Sequence, residues 1–196
     1  MITGENGYPV DCLEIEVELR DKMVSHIKNA TIRNLEAIQK FLQIPGYEEI
    51  CAGLYTYAVE EYGKLLYLKS LHPSPPGNNK INLKYKLSFL NHPVKFRLAL
   101  KELPDTCKIL HEGSLTNRSY TSKSYNIDLI ANFEARKRVF FADFTQDKKS
   151  IEMPPQVNKA LLEKAVEKFL CCMRNVTSSS SSSYVCLSES EWYSLL

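Results

Sequence analysis

Two helix-length segments joined by a short breaker constrain the fold of this chain more than any other feature. Along residues 19–42, apolar side chains recur every three to five positions, as they do on the buried face of an amphipathic helix. The Ile-Pro-Gly-Tyr sequence at 44–47 ends this helix. A second helix is predicted over 48–71, because the proline-rich stretch 72–79 cannot continue it. The sequence therefore predicts a mostly α fold.

The rest of the chain adds two more predicted helices and one extended segment. A third helix is predicted to start in "NHPVKFRLALKEL", where Pro93 suits a first-turn position. The sequence "RKRVFFADF" at 136–144 is aromatic and β-branched, which is typical of a strand or extended segment. A last helix, ending near Met173, is predicted from apolar residues that recur every four positions: Val157, Leu161, Ala165 and Phe169.

Length and composition favour one globular domain with a tail. A chain of 196 residues, with 44% apolar and 24% charged residues, can bury a core of its own. We predict a single domain over 1–176 and a disordered Ser-rich tail over 177–196. The N-terminus shows no signal-peptide pattern and no apolar run could span a bilayer, so we expect a cytoplasmic protein without a membrane partner. The six cysteines lack CxxC spacing, which favours free thiols in a reducing compartment.

The second helix carries three charged residues inside the apolar sequence "YAVEEYGKLLYL". On a helical wheel phased on Ile50, Glu61 and Lys64 fall within the apolar stripe and Glu60 lies at its edge. A carboxylate facing the core needs a partner, and the Glu61–Lys64 pair alone would leave hydrogen-bonding groups unused. Gly63 is unfavourable in mid-helix, which indicates that another group approaches closely there.

The sequence "NHPVK" offers that partner, because His92 and Lys95 lie three residues apart at a predicted helix start. Histidine exchanges protons near neutral pH, and an ammonium group could stabilise the transition state of phosphodiester cleavage. The predicted catalytic set is Glu61, Lys64, His92 and Lys95, supported by Glu60, without metal or cofactor. The alternative is structural: an ion-pair network that fixes helix register, with His92 as a capping or turn residue.

A basic segment follows the second helix. From position 72 to 101 there are six basic residues and no acidic one, although the net charge of the chain is only +2. Aromatic residues interleave with these charges, a pattern compatible with RNA binding. The alternative is a solvated helix face whose aromatic side chains belong to the core. The predicted RNA-binding residues are Lys80, Lys84, Lys86, Arg97 and Lys101.

These motifs together resemble the AbiV family of abortive-infection proteins. The family's Asn-Ala and Gly-Tyr motifs are met by Asn29-Ala30 and Gly46-Tyr47, and its A-x-E-E-x-G-K helix is met by residues 58–64. Its H-x-x-K motif is met by His92-Pro93-Val94-Lys95, although the proline directly after the histidine departs from the pattern. The family's last motif is similar to Phe141-Ala142-Asp143. The resemblance covers roughly residues 26–174.

The resemblance implies a HEPN-like helical bundle, with a short extended segment before the last helix, that acts in bacterial defence against phage. Such an effector arrests growth or translation, and many HEPN domains are metal-independent ribonucleases that act as dimers. The implied partners are RNA, a second copy of the chain, and a phage-encoded or host protein. The arginine–histidine pair of those nucleases has one formal match, Arg20 and His26, which lies too early in the chain. That pair is therefore absent or replaced by the Glu/Lys/His/Lys set. The alternative function is a non-catalytic protein-interaction module.

Overall fold

Four helices dominate the part of the chain that the structure describes. The computed structural model describes residues 12–73, 77, 79–84, 92–108, 143–144, 151–152 and 157–176. The helices are α1 (Val17–Phe41), α2 (Glu48–Ser70), α3 (His92–Glu102) and α4 (Lys159–Asn175). Two antiparallel pairs of strands accompany them: β1 (Cys12–Glu16) with β2 (Lys80–Lys84), and β3 (Asp143–Phe144) with β4 (Ile151–Glu152). The predicted mostly α bundle, with a short extended segment before the last helix, is confirmed.

Local sequence signals set the helix boundaries close to where they are predicted. Gly46 has a φ of 85°, a left-handed conformation that glycine adopts without strain, and it turns the chain between α1 and α2. The side chain of Asn158 accepts a hydrogen bond from the backbone N–H of Leu161 and so caps the N-terminus of α4. Breaker and cap residues thus divide the chain into the observed helices.

α2 is the central helix of the bundle. It packs against α1, α3 and α4, and most of its residues are buried, so its surroundings are apolar on more than one side. The predicted inward stripe is centred on Ile50 and also contains Tyr57, yet these two residues are 47% and 46% exposed. The single-stripe description of α2 is therefore wrong, because a helix surrounded by three others does not have one inward face.

A strand pair lies beside α1. The sequence 13–19 alternates with period two, which is strand-like, but the second strand, β2, is not predicted. β2 pairs antiparallel with β1, and Ile15 opposite Ile81 is buried in the core. The backbone N–H of Val17 donates to the carbonyl of Asn79 at 2.8 Å, so the strand pair continues to the first residue of α1. The alternating pattern just before α1 is thus part of a short two-stranded ribbon.

α4 closes the bundle through aromatic packing. The ring of Phe169 makes edge contacts with Tyr55 and Tyr62 of α2, with centroids 5.8 Å and 5.4 Å apart. The buried Tyr55 hydroxyl donates to the carbonyl oxygen of Cys107 at 2.7 Å, which satisfies its polar end. Cys107 lies in a short 3-10 turn (Asp105–Cys107) after α3. These contacts tie the last helix and this turn to the centre of the bundle.

The thiols whose side chains the structure describes are free, as predicted. Cys51 and Cys107 are buried, whereas Cys171 is exposed and Cys172 is half-buried. Burial raises the pKa of Cys51 and of Cys107 to about 11, so both remain protonated near neutral pH and act as small core residues.

Several predictions fall on residues outside the described part. These are most of the extended segment 136–144, the basic residue Lys86, and the Ser-rich tail 177–196. The single domain over 1–176 and the disorder of the tail stay predictions. Within the described part of the chain, no helix has both the length and the apolar composition needed to cross a membrane.

Candidate functional site

The α2–α3 contact is built around Gly63. A Cβ atom placed on this residue would lie 2.0 Å from the backbone carbonyl oxygen of Lys95, far inside van der Waals contact. Only glycine therefore allows the two helices to approach this closely. The predicted close approach at Gly63 is confirmed, and it brings the start of α3 against the middle of α2.

This approach places His92 and Lys95 on one carboxylate of α2. Oε1 of Glu60 accepts a hydrogen bond from Nζ of Lys95 at 2.6 Å and lies 2.7 Å from Nδ1 of His92. Glu60 is only 4% exposed and Lys95 only 1% exposed. The His92 side chain, by contrast, is 37% exposed. The cluster is thus sealed at its carboxylate–ammonium pair and open to solvent at its imidazole.

Two opposing effects set the protonation of the sealed pair. Burial alone would raise the pKa of Glu60, but the hydrogen bonds and charges of Lys95 and His92 outweigh it and lower the pKa below its ordinary value. Burial lowers the pKa of Lys95, although the hydrogen bond and charge of Glu60 oppose that shift. Near neutral pH, Glu60 is therefore an ionised carboxylate that can only accept hydrogen bonds.

The predicted partner for His92 and Lys95 was the wrong one of two adjacent glutamates. Glu60, assigned a supporting role at the stripe edge, receives both contacts. Glu61 instead pairs with Lys64 at 2.5 Å, and their side chains are 31% and 19% exposed. Consecutive helix residues point about 100° apart. A helical wheel centred on the wrong residue therefore assigns the inward position to Glu61 instead of Glu60.

Glu61 and Lys64 line an open groove between α1 and α2. The groove has a volume of about 430 Å³, and the other described residues that line it come from α1: Lys22, Met23, His26 and Ile27. The sequence reading considered His26 only as part of the Arg20–His26 spacing. The signal that could have identified it is its spacing of four residues from Lys22, because residues four apart lie on one face of a helix.

The two members of that arginine–histidine spacing have different surroundings. Arg20 is buried and donates from Nη1 to the carbonyl oxygen of Leu71 at 2.6 Å, which ties α1 to the end of α2. His26 is exposed and lines the groove. Arg20 therefore has a structural role that accounts for its burial.

The predicted RNA-binding residues lie on two elements. Lys80 on β2 is exposed and pairs with Oε1 of Glu14 at 2.7 Å, and Lys84 ends the same strand. Arg97 is half-buried and Lys101 is exposed, both on α3. Their role in RNA binding stays a prediction.

Among the described residues, no group of three or more histidine, cysteine, aspartate or glutamate side chains converges in a way that could hold a metal ion. Two ionisable clusters of this part of the chain lie side by side on α2: the sealed Glu60 cluster and the groove. Both combine carboxylate, ammonium and imidazole groups, which together can move protons and bind anions.

Comparison with known proteins identifies no relative. No protein-family model matches the chain, and neither a curated protein nor a solved structure shows significant similarity to it. The resemblance to the AbiV family rests on the motifs at 58–64 and 92–95 and on the shorter motifs around them. What those motifs imply about function is therefore a proposal.

Proposed function

We propose that this chain is an AbiV-like defence effector that arrests growth or translation in phage-infected bacteria by binding and cleaving RNA. The motifs at 58–64 and 92–95 support the role in defence. The observation that carries the cleavage step is the 2.7 Å contact between Nδ1 of His92 and the buried carboxylate of Glu60, made by an imidazole that is 37% exposed. A solvent-facing imidazole held by a buried carboxylate is a suitable general acid–base group.

The chemistry follows from the hydrogen-bonding capacity of each group. Because ionised Glu60 can only accept, Nδ1 of His92 carries the proton of their hydrogen bond, and Nε2 is the atom that exchanges a proton with RNA. Nε2 takes the proton of a ribose 2′-hydroxyl while the 2′ oxygen forms a bond to phosphorus. The bond from phosphorus to the 5′ oxygen breaks, and the imidazolium returns its proton to that oxygen. This route needs no metal ion.

The buried residues of the cluster act through His92. Glu60 and Lys95 are sealed, so in this role they are positioning residues that hold the imidazole and keep the carboxylate ionised. Lys64 lies at the open groove, where its ammonium group can contact a phosphate. Four of the five predicted residues thus divide into one acid–base group, two positioning residues and one cation, whereas Glu61 pairs with Lys64 and has no role in this step.

The test replaces His92 with asparagine. The amide nitrogen of asparagine stands close to the position of Nδ1 and can still donate to Glu60, but it cannot exchange protons. We expect His92→Asn to retain the melting temperature while RNA cleavage in a metal chelator falls by at least about 100-fold and toxicity on induction is lost. His72→Asn, an exposed histidine just beyond α2, is the matched control and should cleave normally. Unchanged cleavage by His92→Asn would remove His92 from the mechanism.

One surface favours a second function, a non-catalytic protein-interaction module. The turn between α1 and α2 exposes four large apolar residues: Phe41, Ile44, Tyr47 and Ile50. The rings of Phe41 and Tyr47 stack with centroids 6.0 Å apart, and exposed aromatic clusters are typical of protein interfaces. Under this alternative, purified protein cleaves no RNA, and Phe41→Asp abolishes toxicity while His92→Asn leaves it intact.

A further inference from the structure

We propose that the groove between α1 and α2 binds a nucleotide, either free or as one unit of an RNA strand. Its volume of about 430 Å³ lies within the range of about 300–1,000 Å³ that is typical of small-molecule sites. The RNA form of this proposal rests on the proposed function, whereas binding of a free nucleotide does not. The residues involved differ from the predicted RNA-binding residues on β2 and α3.

Two ammonium groups on facing helices can receive the phosphate. Lys22 of α1 pairs with Glu18 at 2.7 Å, but both side chains are more than two-thirds exposed, so the pair is weak and Lys22 can turn to a ligand. Lys64 of α2 is more enclosed, and its 2.5 Å contact with Glu61 fixes where its ammonium group lies. Lysine is a common phosphate-binding residue, and two of them across a groove form a cradle for one phosphate.

The α1 wall provides contacts for a base. Met23 and Ile27 lie one turn apart and form the apolar part of the lining, and a methionine sulfur interacts favourably with an aromatic ring. His26, on the same helix, is exposed and offers a flat ring on which a base can stack. The groove therefore combines an apolar wall and a stacking ring with cations. A purely anionic ligand would leave the apolar wall unused.

Glu61 gives the groove a group that suits a ribose. An ionised carboxylate accepts several hydrogen bonds, so Glu61 can hold Lys64 and also accept from a ribose hydroxyl. The 2′-hydroxyl is the group by which proteins distinguish ribonucleotides from deoxyribonucleotides. We infer that the groove prefers a ribonucleotide because of Glu61.

The groove also adjoins the sealed cluster. The charges of Glu61 and Lys64 act on the buried ammonium group of Lys95, so the two sites lie within electrostatic range of each other. The groove and the proposed cleavage site therefore lie on neighbouring faces of α2.

The test measures binding of adenosine 5′-monophosphate to the full chain by calorimetry. We expect binding that is weakened about tenfold by Lys64→Met and by Lys22→Met. Lys40→Met, an exposed lysine near the other end of α1, should leave it unchanged. Glu61→Gln should remove the preference over the 2′-deoxy nucleotide. In NMR spectra of the histidine rings, the nucleotide should shift the His26 signals. These signals are assigned as the ones that are missing from the spectrum of His26→Asn.

The outcomes separate this proposal from the proposed function. Three results would overturn the nucleotide site: folded wild-type protein does not bind the nucleotide, it binds inorganic phosphate equally well, or Lys40→Met weakens binding as much as Lys64→Met does. His92-dependent RNA cleavage could still be intact in each of those cases. Binding without any RNA cleavage would leave the groove as a nucleotide site and remove the proposed function. Tighter binding of a short oligoadenylate than of the mononucleotide identifies RNA as the source, and the reverse order identifies a free nucleotide.

Discussion

The two faces of α2 that carry Glu60 and Glu61 differ in burial, in partners and in access to solvent. Glu60 faces α3, is 4% exposed, and is held by a buried ammonium and an imidazole. Glu61 faces α1, is 31% exposed, and makes an ion pair within its own helix beside an open groove. Chemically identical side chains one residue apart thus occupy environments with different energetics.

The difference teaches how the same residue type serves two purposes. On the sealed face, a charge is tolerated only because its partners are fixed, and removal of one partner leaves an unpaired charge in the core. On the open face, water can replace any partner, so the residues there are available to a ligand. We therefore expect substitutions on the face of α2 toward α3 to lower mainly the free energy of unfolding. Substitutions on the face toward α1 should mainly weaken ligand binding.

The largest expected effect comes from removal of the sealed ammonium group. Lys95→Met retains most of the side-chain volume but removes the buried ammonium group that donates to the Glu60 carboxylate. We expect the free energy of unfolding to fall by about 3–5 kcal/mol, measured by urea denaturation. Lys101→Met, an exposed lysine on the same helix, should change it by less than about 0.5 kcal/mol.

A double variant distinguishes lost pairing from lost packing. Glu60→Gln combined with Lys95→Met removes both charges, so no buried ion is left unpaired. We expect the double variant to be more stable than Lys95→Met alone, because neutral replacement of a buried ion pair is often well tolerated. Additive losses from the two substitutions would contradict the sealed-pair interpretation.

The second prediction tests the helix approach that creates the sealed face. Alanine is a better helix former than glycine by about 1 kcal/mol, so propensity alone predicts that Gly63→Ala stabilises α2. The backbone carbonyl of Lys95 occupies the space that the new methyl group needs, so we expect a net loss of about 1–3 kcal/mol. Asn34→Ala in the exposed face of α1 should instead be stabilising, as measured by thermal denaturation. Stabilisation by Gly63→Ala would show that α3 lies farther away.

The sequence contained enough local information to predict the helices and the Gly63 approach. The apolar spacing of α1, the Ile-Pro-Gly-Tyr breaker and the Pro93 position each depend on a few neighbouring residues. The pairing of "EExGK" with "HPVK" was also predicted, because two charged motifs inside apolar segments have few ways to satisfy each other. These features could be read without knowing how the helices pack.

The identity of the paired glutamate could not be read in that way. A wheel gives the direction of a residue only if one stripe of the helix is apolar, and α2 is buried by α1, α3 and α4 together. The wheel centres the inward face on Ile50, yet this residue is 47% exposed near the α1–α2 turn. The groove was missed for a related reason, since its lining comes from two helices whose relative rotation only tertiary packing fixes.

The third prediction uses pH to test the charge of the sealed glutamate. The folded-state pKa of Glu60 is lowered from its ordinary value of 4.5, so its ionised form stabilises the fold above that value. This stabilisation is lost as the pH falls below 4.5 and through the lowered pKa. The stability difference between wild type and Glu60→Gln, measured by urea denaturation, should therefore shrink between neutral pH and about pH 3. A difference that stays constant or grows on acidification would contradict the lowered pKa.

The smallest expected effect is that of Glu61→Gln, the same substitution one residue along the helix. Its ion pair with Lys64 spans three residues on a partly exposed helix face, where such pairs contribute about 0.2–0.5 kcal/mol. The loss in the free energy of unfolding should therefore be about 0.5 kcal/mol or less, in the same assay in which Glu60→Gln loses several times more. Because the two variants differ only in position, the ratio of their effects measures how different the two faces of α2 are. Equal losses would mean that Glu61 is also sealed, and the groove would then have no accessible carboxylate for a ribose.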